Sequence, residues 1–334
     1  MDRRTLLRLA AGGAVVGAAG LPAWARAAAH AYPSRPLRLV VPFPAGGAAD
    51  NLGRPLAQQL AGVLGQPVIV ENRPGANTVI GADHVANSPA DGYTLLLANE
   101  AGLSLAPAFA PITHVAVPYD PGKAFSGISL LGQYGSVLSI NPKLPVRTLQ
   151  EFVAYARKQS TRLNYASFGV GSQPQMMMEI LNHQAGIDLA HVPYKGVAPA
   201  LVDLVAGHVQ AMISAPSAPL PYLKDGRLRA LAYSGAKRLP ELPDVPTFAQ
   251  AGMPDFDARG WFGVVVHADT PQPVQEALRK AVWSVVDSAQ YRGTAILANG
   301  YEVPEVGPEG FPAFLAQDMA RWKQLVALVR NRLV

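Results

Sequence analysis

The sequence contains no cysteine, so it has no disulfide framework and no thiolate to hold a metal. Charge is also sparse, at 15% of residues, and its cationic residues are dispersed, with no basic run interleaved with aromatics. That distribution argues against nucleic acid as a partner. Beyond the N-terminus, no uninterrupted apolar stretch is long enough to span a bilayer. Catalytic signatures are missing as well. Gly169-Val170-Gly171-Ser172-Gln173 places its serine outside the nucleophile-elbow frame. There is neither a phosphate-binding loop with Lys nor a dinucleotide fingerprint, and the seven histidines are scattered without ligand spacing. The sequence therefore nominates no catalytic residue, no metal ligand and no cofactor, and an exported hydrolase built around Ser172 is kept only as an alternative.

What the chain does have begins with its first 29 residues. Arg3, Arg4 and Arg8 precede an Ala/Gly-rich apolar middle, and small-x-small exits follow at Ala23-Trp24-Ala25 and Ala27-Ala28-Ala29. This is the three-part pattern of a secretory signal, too short in its apolar part for a stable anchor. The Arg3-Arg4 pair also resembles a twin-arginine signal, with Asp2 and Leu6 departing from that motif; a general secretory signal is the alternative. Without cysteine there is no lipid attachment site, so the expectation is a periplasmic protein that is not membrane-inserted. The net charge of +5 loses two units when residues 1–25 leave, because three arginines and one aspartate go with them.

The rest of the chain alternates short apolar runs with amphipathic stretches, which predicts an α/β fold. Strands are expected at 37–42, 68–71, 93–98, 163–166, 190–193, 209–213 and 229–233. Helices are expected at 49–64, 148–158, 172–184, 198–206, 273–287 and 312–330. Leu52, Leu56, Leu60 and Leu64 mark one face of the first helix. Two longer apolar runs, 128–141 and 261–267, read as crossings between two lobes. Residues 30–135 and 259–334 then form one discontinuous domain and residues 136–258 the other. The 30 prolines and 31 glycines are spread over many turns, as short α/β loops require.

One feature occurs twice. Strand 37–42 runs through Phe43-Pro44-Ala45-Gly46-Gly47 into the helix containing Ala48, Ala49 and Asp50. Strand 163–166 runs through Ser167, Gly169 and Gly171 into the helix that starts at Ser172. Both turns lie at strand carboxyl ends and lead into helix N-termini, where free N–H groups favour an anion. Facing each other across two lobes, they would hold one small anion. A carboxylate suits them better than a phosphate, since neither turn contains Lys or Arg. Glycines that merely make tight turns are the alternative for either turn alone.

Several stretches carry a family resemblance: Tyr32-Pro33-Ser34-Arg35-Pro36, Val41-Pro42-Phe43-Pro44-Ala45-Gly46-Gly47, Val70-Glu71-Asn72-Arg73-Pro74-Gly75-Ala76 and Asp91-Gly92-Tyr93-Thr94-Leu95. They continue with Leu163-Asn164-Tyr165-Ala166-Ser167, His191-Val192-Pro193-Tyr194-Lys195-Gly196 and Leu242-Pro243-Asp244-Val245-Pro246-Thr247. In this order they span nearly all of the chain after the signal. The sequence resembles the periplasmic solute-binding receptors of tripartite tricarboxylate transporters, the Bordetella uptake (Bug) type. The resemblance implies a two-lobed, type II Venus-flytrap fold, a monomer without enzymatic activity, and a ligand carboxylate held largely by main-chain N–H groups. It implies membrane permease subunits as downstream partner; the extracytoplasmic domain of a two-component sensor is the alternative.

Where that family commonly carries Gly-Gly-Ser-Thr-Asp, this chain has Gly46-Gly47-Ala48-Ala49-Asp50, and the hydroxyls are gone. Ser214-Ala215 stands where the family tends to place Asp-Asn, and strand three ends in Asn99-Glu100 rather than in small or hydroxylated residues. A Glu100 facing the cleft would disfavour a second acid group and suit a ligand bearing an amine, amide or ring N–H, or an apolar aromatic acid; a Glu100 turned to solvent or capping the next segment is the alternative. Phe43 and Lys195 complete the candidate ligand-binding residues, Lys195 as a cation able to reach across the cleft.

Overall fold

The computed structural model describes residues 32–113, 116–256 and 259–333; the pattern at 1–29 read as an export signal lies outside them. Ten strands form two five-stranded sheets. β1 (Leu37–Val41), β2 (Val68–Asn72), β3 (Thr94–Asn99), β4 (Phe125–Tyr134) and β10 (Gly260–His267) make the first, in the order β2-β1-β3-β10-β4. β5 (Val137–Ile140), β6 (Asn164–Ser167), β7 (Ala190–Pro193), β8 (Ala211–Ser214) and β9 (Arg229–Tyr233) make the second, in the order β7-β6-β8-β5-β9.

β1 pairs in parallel with β2 and β3, and β6 with β7 and β8. The strands next to the crossings, β10 and β5, are antiparallel to both of their neighbours. Each sheet is thus a small parallel core joined to one strand running the other way, and helices cover its faces. The result is the two-lobed α/β architecture that the alternation of patterns predicts.

The apolar run 128–141 is not one strand. It breaks at Gly135-Ser136, where β4 leaves the first sheet and β5 enters the second. A β-carbon on Gly135 would lie 2.4 Å from the Gly235 nitrogen and 2.5 Å from the Tyr233 ring, so only glycine fits this close approach. The Gly135 N–H donates to the Tyr233 hydroxyl at 3.0 Å, and the Ser136 N–H to the Ser234 Oγ at 2.8 Å. These bonds fix the crossing beside the end of β9.

The helix boundaries follow local chemistry. Leu149–Lys158 starts with a capping box made by Thr148 and Glu151. Ala48–Leu64, Gln173–Ala185 and Val197–Ala206 all end on left-handed glycines, Gly65, Gly186 and Gly207. The helix Val79–Ala86 and the helical stretch from Ala101 to Thr113, which opens with a π-turn over 101–105, have no clear periodicity in the sequence.

The C-terminal helix Phe311–Val329 departs from the expected division of the chain. Phe311 and Leu315 pack with Trp261 and Phe125 against the first sheet. Trp322, Val326, Val329 and Leu333 instead join the core of the second lobe, with Phe152, Tyr165 and Met176. Arg332 then pairs with Glu179 at 2.8 Å and with Asp188 at 2.6 Å. The segment 259–334 was expected wholly in the first domain, but its end packs on the second, because the apolar face of this helix is long enough to serve both cores. Leu105 and Phe109 cross to the second core in the same way.

Candidate ligand-binding cleft

The carboxyl ends of the parallel strands in both sheets open onto one cavity of about 710 Å³, the place where open α/β sheets bind ligands. From the first lobe, Phe43 and Ala48 follow β1, Asn77 follows β2, and Asn99 and Glu100 end β3. From the second, Gly171, Ser172 and Gln173 follow β6 and Val197 follows β7, with Ala215 to Ser217 after β8. Tyr134 and Phe262 come from the two crossing strands, and Asn299 to Tyr301 from the C-terminal return.

Two helices begin in this wall. In Ala48–Leu64 the first backbone bond runs from Asn51 N–H to Gly47 O at 3.1 Å, and in Gln173–Ala185 from Met176 N–H to Ser172 O at 3.1 Å. The amides of Ala48, Ala49 and Gln173 precede those bonds and have no intrahelical partner. Both helices therefore turn their positive ends toward one space. The side chain of Gln173 adds a buried amide nitrogen, Nε2, that has no hydrogen-bond partner, which is unusual for a buried donor.

The first turn is fastened from within. The Asp50 carboxylate accepts the Gly46 N–H at 2.8 Å, Arg54 Nε at 2.6 Å and Asn72 Nδ2 at 3.1 Å. Burial raises the proton affinity of Asp50, but these bonds outweigh it and hold the carboxyl below its ordinary range. The second turn uses the same device with other atoms: Gly171 N–H donates to Gln175 Oε1 at 2.7 Å, and the Ser172 hydroxyl to Gly169 O at 2.6 Å.

The rest of the first-lobe wall is aromatic. Phe262 stacks on Tyr134 at 5.7 Å between ring centres and meets Phe43 and Tyr301 edge-on at 5.9 and 5.7 Å. Behind these rings, Glu100 is 1% exposed and still lines the cavity. Its Oε1 accepts the Tyr134 hydroxyl at 2.9 Å and its Oε2 the Trp261 N–H at 3.0 Å. Burial pushes its pKa up to about 7, against the pull of the Trp261 and Tyr134 bonds and with a further rise from Asp318. The solvent-facing alternative for Glu100 is thereby overturned. Nearby, Ala76, Asn77 and Thr78 all have left-handed backbones, with φ of 47°, 50° and 72°. Such strain is costly at a β-branched residue. The Thr78 hydroxyl donates to Asn99 Oδ1 at 3.1 Å, which ties this turn to the end of β3. The Asn77 amide reaches the other lobe, 4.0 Å from where a β-carbon on Gly171 would lie.

Of the residues singled out in the sequence, Phe43, Ala48, Asn99, Glu100, Gly171 and Ser172 line the cavity, and Gly47 is the N-cap of the first helix. The others are placed as follows. Ala49, one position and about 100° further round the helix from Ala48, is 2% exposed and packs in the core with Leu52 and Leu97. Gly46 and Asp50 spend their polar groups on each other. Ser167 is fully buried and bonds His191 Nε2 at 2.6 Å, and Gly169 accepts from Ser172; both are internal to the turn. Ser214 ends β8 buried, with only Ala215 onward reaching the cavity. Lys195 is exposed and lies outside the cavity lining.

Asn51, Asn77, Tyr134, Glu241 and Asn299 line the cavity without having been expected. Asn51 carried a readable signal, since it lies three residues after Ala48 on the same helix face. Asn299 reaches the site only through the fold, where its Oδ1 accepts from Asn51 Nδ2 at 3.0 Å.

Comparison with known proteins agrees with this fold. Residues 52–330 match the family model described as tripartite tricarboxylate transporter family receptor. Protein BugT of Bordetella pertussis is 36% identical over 323 residues, covering 95% of this chain and 96% of its own. MatC from Rhodopseudomonas palustris, solved with bound malate, superposes with a TM-score of 0.72 at 31% identity, over 88% of this chain and 100% of that one. A second R. palustris protein, solved with adipate, gives a TM-score of 0.75 at 31% identity, over 89% and 98%. On the strength of the model match and these relatives, the chain belongs to the tripartite tricarboxylate transporter receptor family.

Proposed function

We propose that this protein is an exported periplasmic receptor that closes its two lobes on one small carboxylate-bearing solute and delivers it, as a monomer, to the permease subunits of a tripartite tricarboxylate-type transporter. The observation that carries the reading is the meeting of two helix N-termini, at Ala48 and at Gln173, in one cavity. Unpaired amides there offer a carboxylate the donors it needs without a cationic side chain. The unpartnered Gln173 Nε2 is a further donor in the same wall. A cavity of about 710 Å³ suits a small organic acid rather than a peptide. The relatives solved with malate and with adipate support a carboxylate as the ligand class.

Export rests on the N-terminal pattern of residues 1–29, and among the described residues no helix is long and apolar enough to cross a membrane. Ligand release without chemistry also fits the wall. The Ser172 hydroxyl is committed to Gly169 O, and Ser167, which does have a histidine partner, is fully buried.

A thermal-shift panel of mono-, di- and tricarboxylates beside neutral analogues tests the reading. At least one carboxylate is expected to raise the melting temperature in proportion to the logarithm of its concentration above Kd. Stabilisation by neutral solutes alone would overturn the anion assignment.

A further inference from the structure

Glu100 is a buried carboxyl among the residues that line the cleft. Glu100 lines the cavity, with its carboxyl fixed by Tyr134 on β4 and by the Trp261 N–H on β10. Among the described lining residues the only other carboxyl is Glu241, which is exposed, and there is no Lys, Arg or His. A ligand carboxylate seated at the two helix ends leaves the remainder of the solute among the rings of Phe43, Tyr134 and Phe262 with Glu100 beside them. An ionised Glu100 has lone pairs to give and no proton to donate. Beside it, a second carboxylate on the ligand would meet like charge in a site with little water to screen it, whereas an ammonium, amide or ring N–H would find an acceptor.

Resting on the carboxylate-receptor reading above, we propose that Glu100 sets the specificity of the cleft: it selects carboxylate solutes that carry a hydrogen-bond donor over those that carry a second carboxylate, and admits the latter only together with a proton. The hydrogen bonds show where that proton goes. The Trp261 N–H can only donate, so Oε2 stays an acceptor and the proton enters at Oε1. Its partner there, the Tyr134 hydroxyl, can give or accept. If Glu100 keeps the Tyr134 bond as acceptor, its own O–H turns to the ligand. If it donates to Tyr134, the phenol O–H turns to the ligand instead. Either arrangement adds one donor to the Glu100–Tyr134 pair in the cavity wall, and the proton comes from solvent.

The groups around Glu100 keep this step near neutral pH. Asp318, on the C-terminal helix, favours the protonated form. The Asp318 carboxyl accepts from Arg321 at 2.6 Å, from Trp261 Nε1 at 2.8 Å and from the Ser104 hydroxyl at 2.6 Å. Tyr134 and Tyr301 are both buried phenols pushed upward by burial and by Glu100, so they stay neutral. Burial, aided by Asp318 and opposed by the Trp261 and Tyr134 bonds, carries Glu100 up to about 7.

Isothermal titration calorimetry with isosteric probes tests the proposal: hexanoate, 6-aminohexanoate and adipate, and benzoate with its para-aminomethyl and para-carboxyl derivatives. At about pH 8.5 the wild type is expected to bind the amine-bearing acid at least about tenfold more tightly than the matching diacid, and lowering the pH to about 6.5, still above the titration of the probes' own carboxyls, should shrink that ratio by about tenfold or more. Binding of the diacid near pH 8 should take up close to one proton, read from buffers of different ionisation enthalpy. In Glu100→Gln the ratio should no longer change with pH and no proton should be taken up. A ratio that is flat with pH in the wild type, or one that keeps its pH dependence in Glu100→Gln, overturns the proposal and leaves the receptor reading standing. If none of the acids binds the wild type at any pH, hexanoate and benzoate included, the carboxylate reading itself falls and takes this inference with it. The wild-type pH profile decides the matter even if the variant does not fold.

Discussion

The Asp50 carboxylate accepts the Gly46 N–H at 2.8 Å, so the helix that begins at Ala48 fastens its own entrance turn. The same carboxylate holds Arg54 and Asn72, and the turn that presents the helix N-terminus to the cleft is rigid because of it. A residue that looked like a ligand contact is therefore a brace, and its replacement has two consequences.

Asp50→Ala removes all three bonds. A hydrogen bond to a charged group contributes about 1.5–3 kcal/mol, and the exposure of Arg54 places the loss toward the lower end of that range. The melting temperature should fall, and carboxylate affinity should fall with it. Because the pKa of Asp50 is depressed, its contribution is complete above its ordinary value of 3.8 and is lost as pH drops below that. Acid unfolding of the wild type should consequently be steeper than that of Asp50→Asn, measured by circular dichroism between about pH 5 and 2.

Ala48 and Ala49 are neighbours in sequence with opposite fates, one exposed in the cleft and the other 2% exposed in the core. Ala48→Ser adds a hydroxyl beside the helix end and should tighten binding of a carboxylate by about tenfold, the lower end of a charge-assisted bond. Ala49→Thr puts branched bulk against Leu52 and Leu97 and should destabilise the fold by about 1–3 kcal/mol with no gain in affinity. Titration calorimetry and thermal melts on the two variants read both effects.

Much of this architecture is legible in the sequence because it depends on local rules. Prolines, glycines and the leucine period of Leu52, Leu56 and Leu60 place most elements to within one or two residues. The two glycine turns at strand ends are visible for the same reason. The site is less legible, since its residues reach it by different routes. Asn77 gets there through three left-handed residues, and nothing in Ala76-Asn77-Thr78 announces that conformation. Tyr134 faces the cleft because the run 128–141 breaks just after it, and Asn299 arrives from 248 residues further along than its partner Asn51. At Gly46, Asp50, Ser167 and Gly169 polar groups serve the turn itself, a use that the sequence does not distinguish from binding a ligand.

Glu100 also leaves a mark on stability without any ligand. Its pKa is raised from 4.5 to about 7, so the folded state holds a proton that the unfolded state has released between those values. Stability should decline as pH rises from about 4.5 to about 7 and then level off, by an amount on the order of 3 kcal/mol. Glu100→Gln should abolish that decline and be the more stable protein at about pH 8, a comparison made by denaturant unfolding at fixed temperature.

The C-terminal helix is held on the second lobe by Arg332, whose partner Glu179 also accepts the Tyr165 hydroxyl at 2.6 Å. Glu179 is 3% exposed, so Arg332→Ala leaves a buried carboxylate without its cation and should cost about 3–5 kcal/mol. Adding Glu179→Gln to that variant should recover part of the loss. Thermal melts of the two single variants, the double variant and the wild type give the coupling.

The central claim is that two facing helix ends hold one carboxylate between the lobes. Native mass spectrometry of the protein recovered from periplasm tests it most directly. The account predicts a single bound small molecule that fragments as a carboxylic acid and is lost when its complex is exchanged against excess adipate or 6-aminohexanoate. A stoichiometrically bound neutral solute, unmoved by any carboxylate, would contradict it.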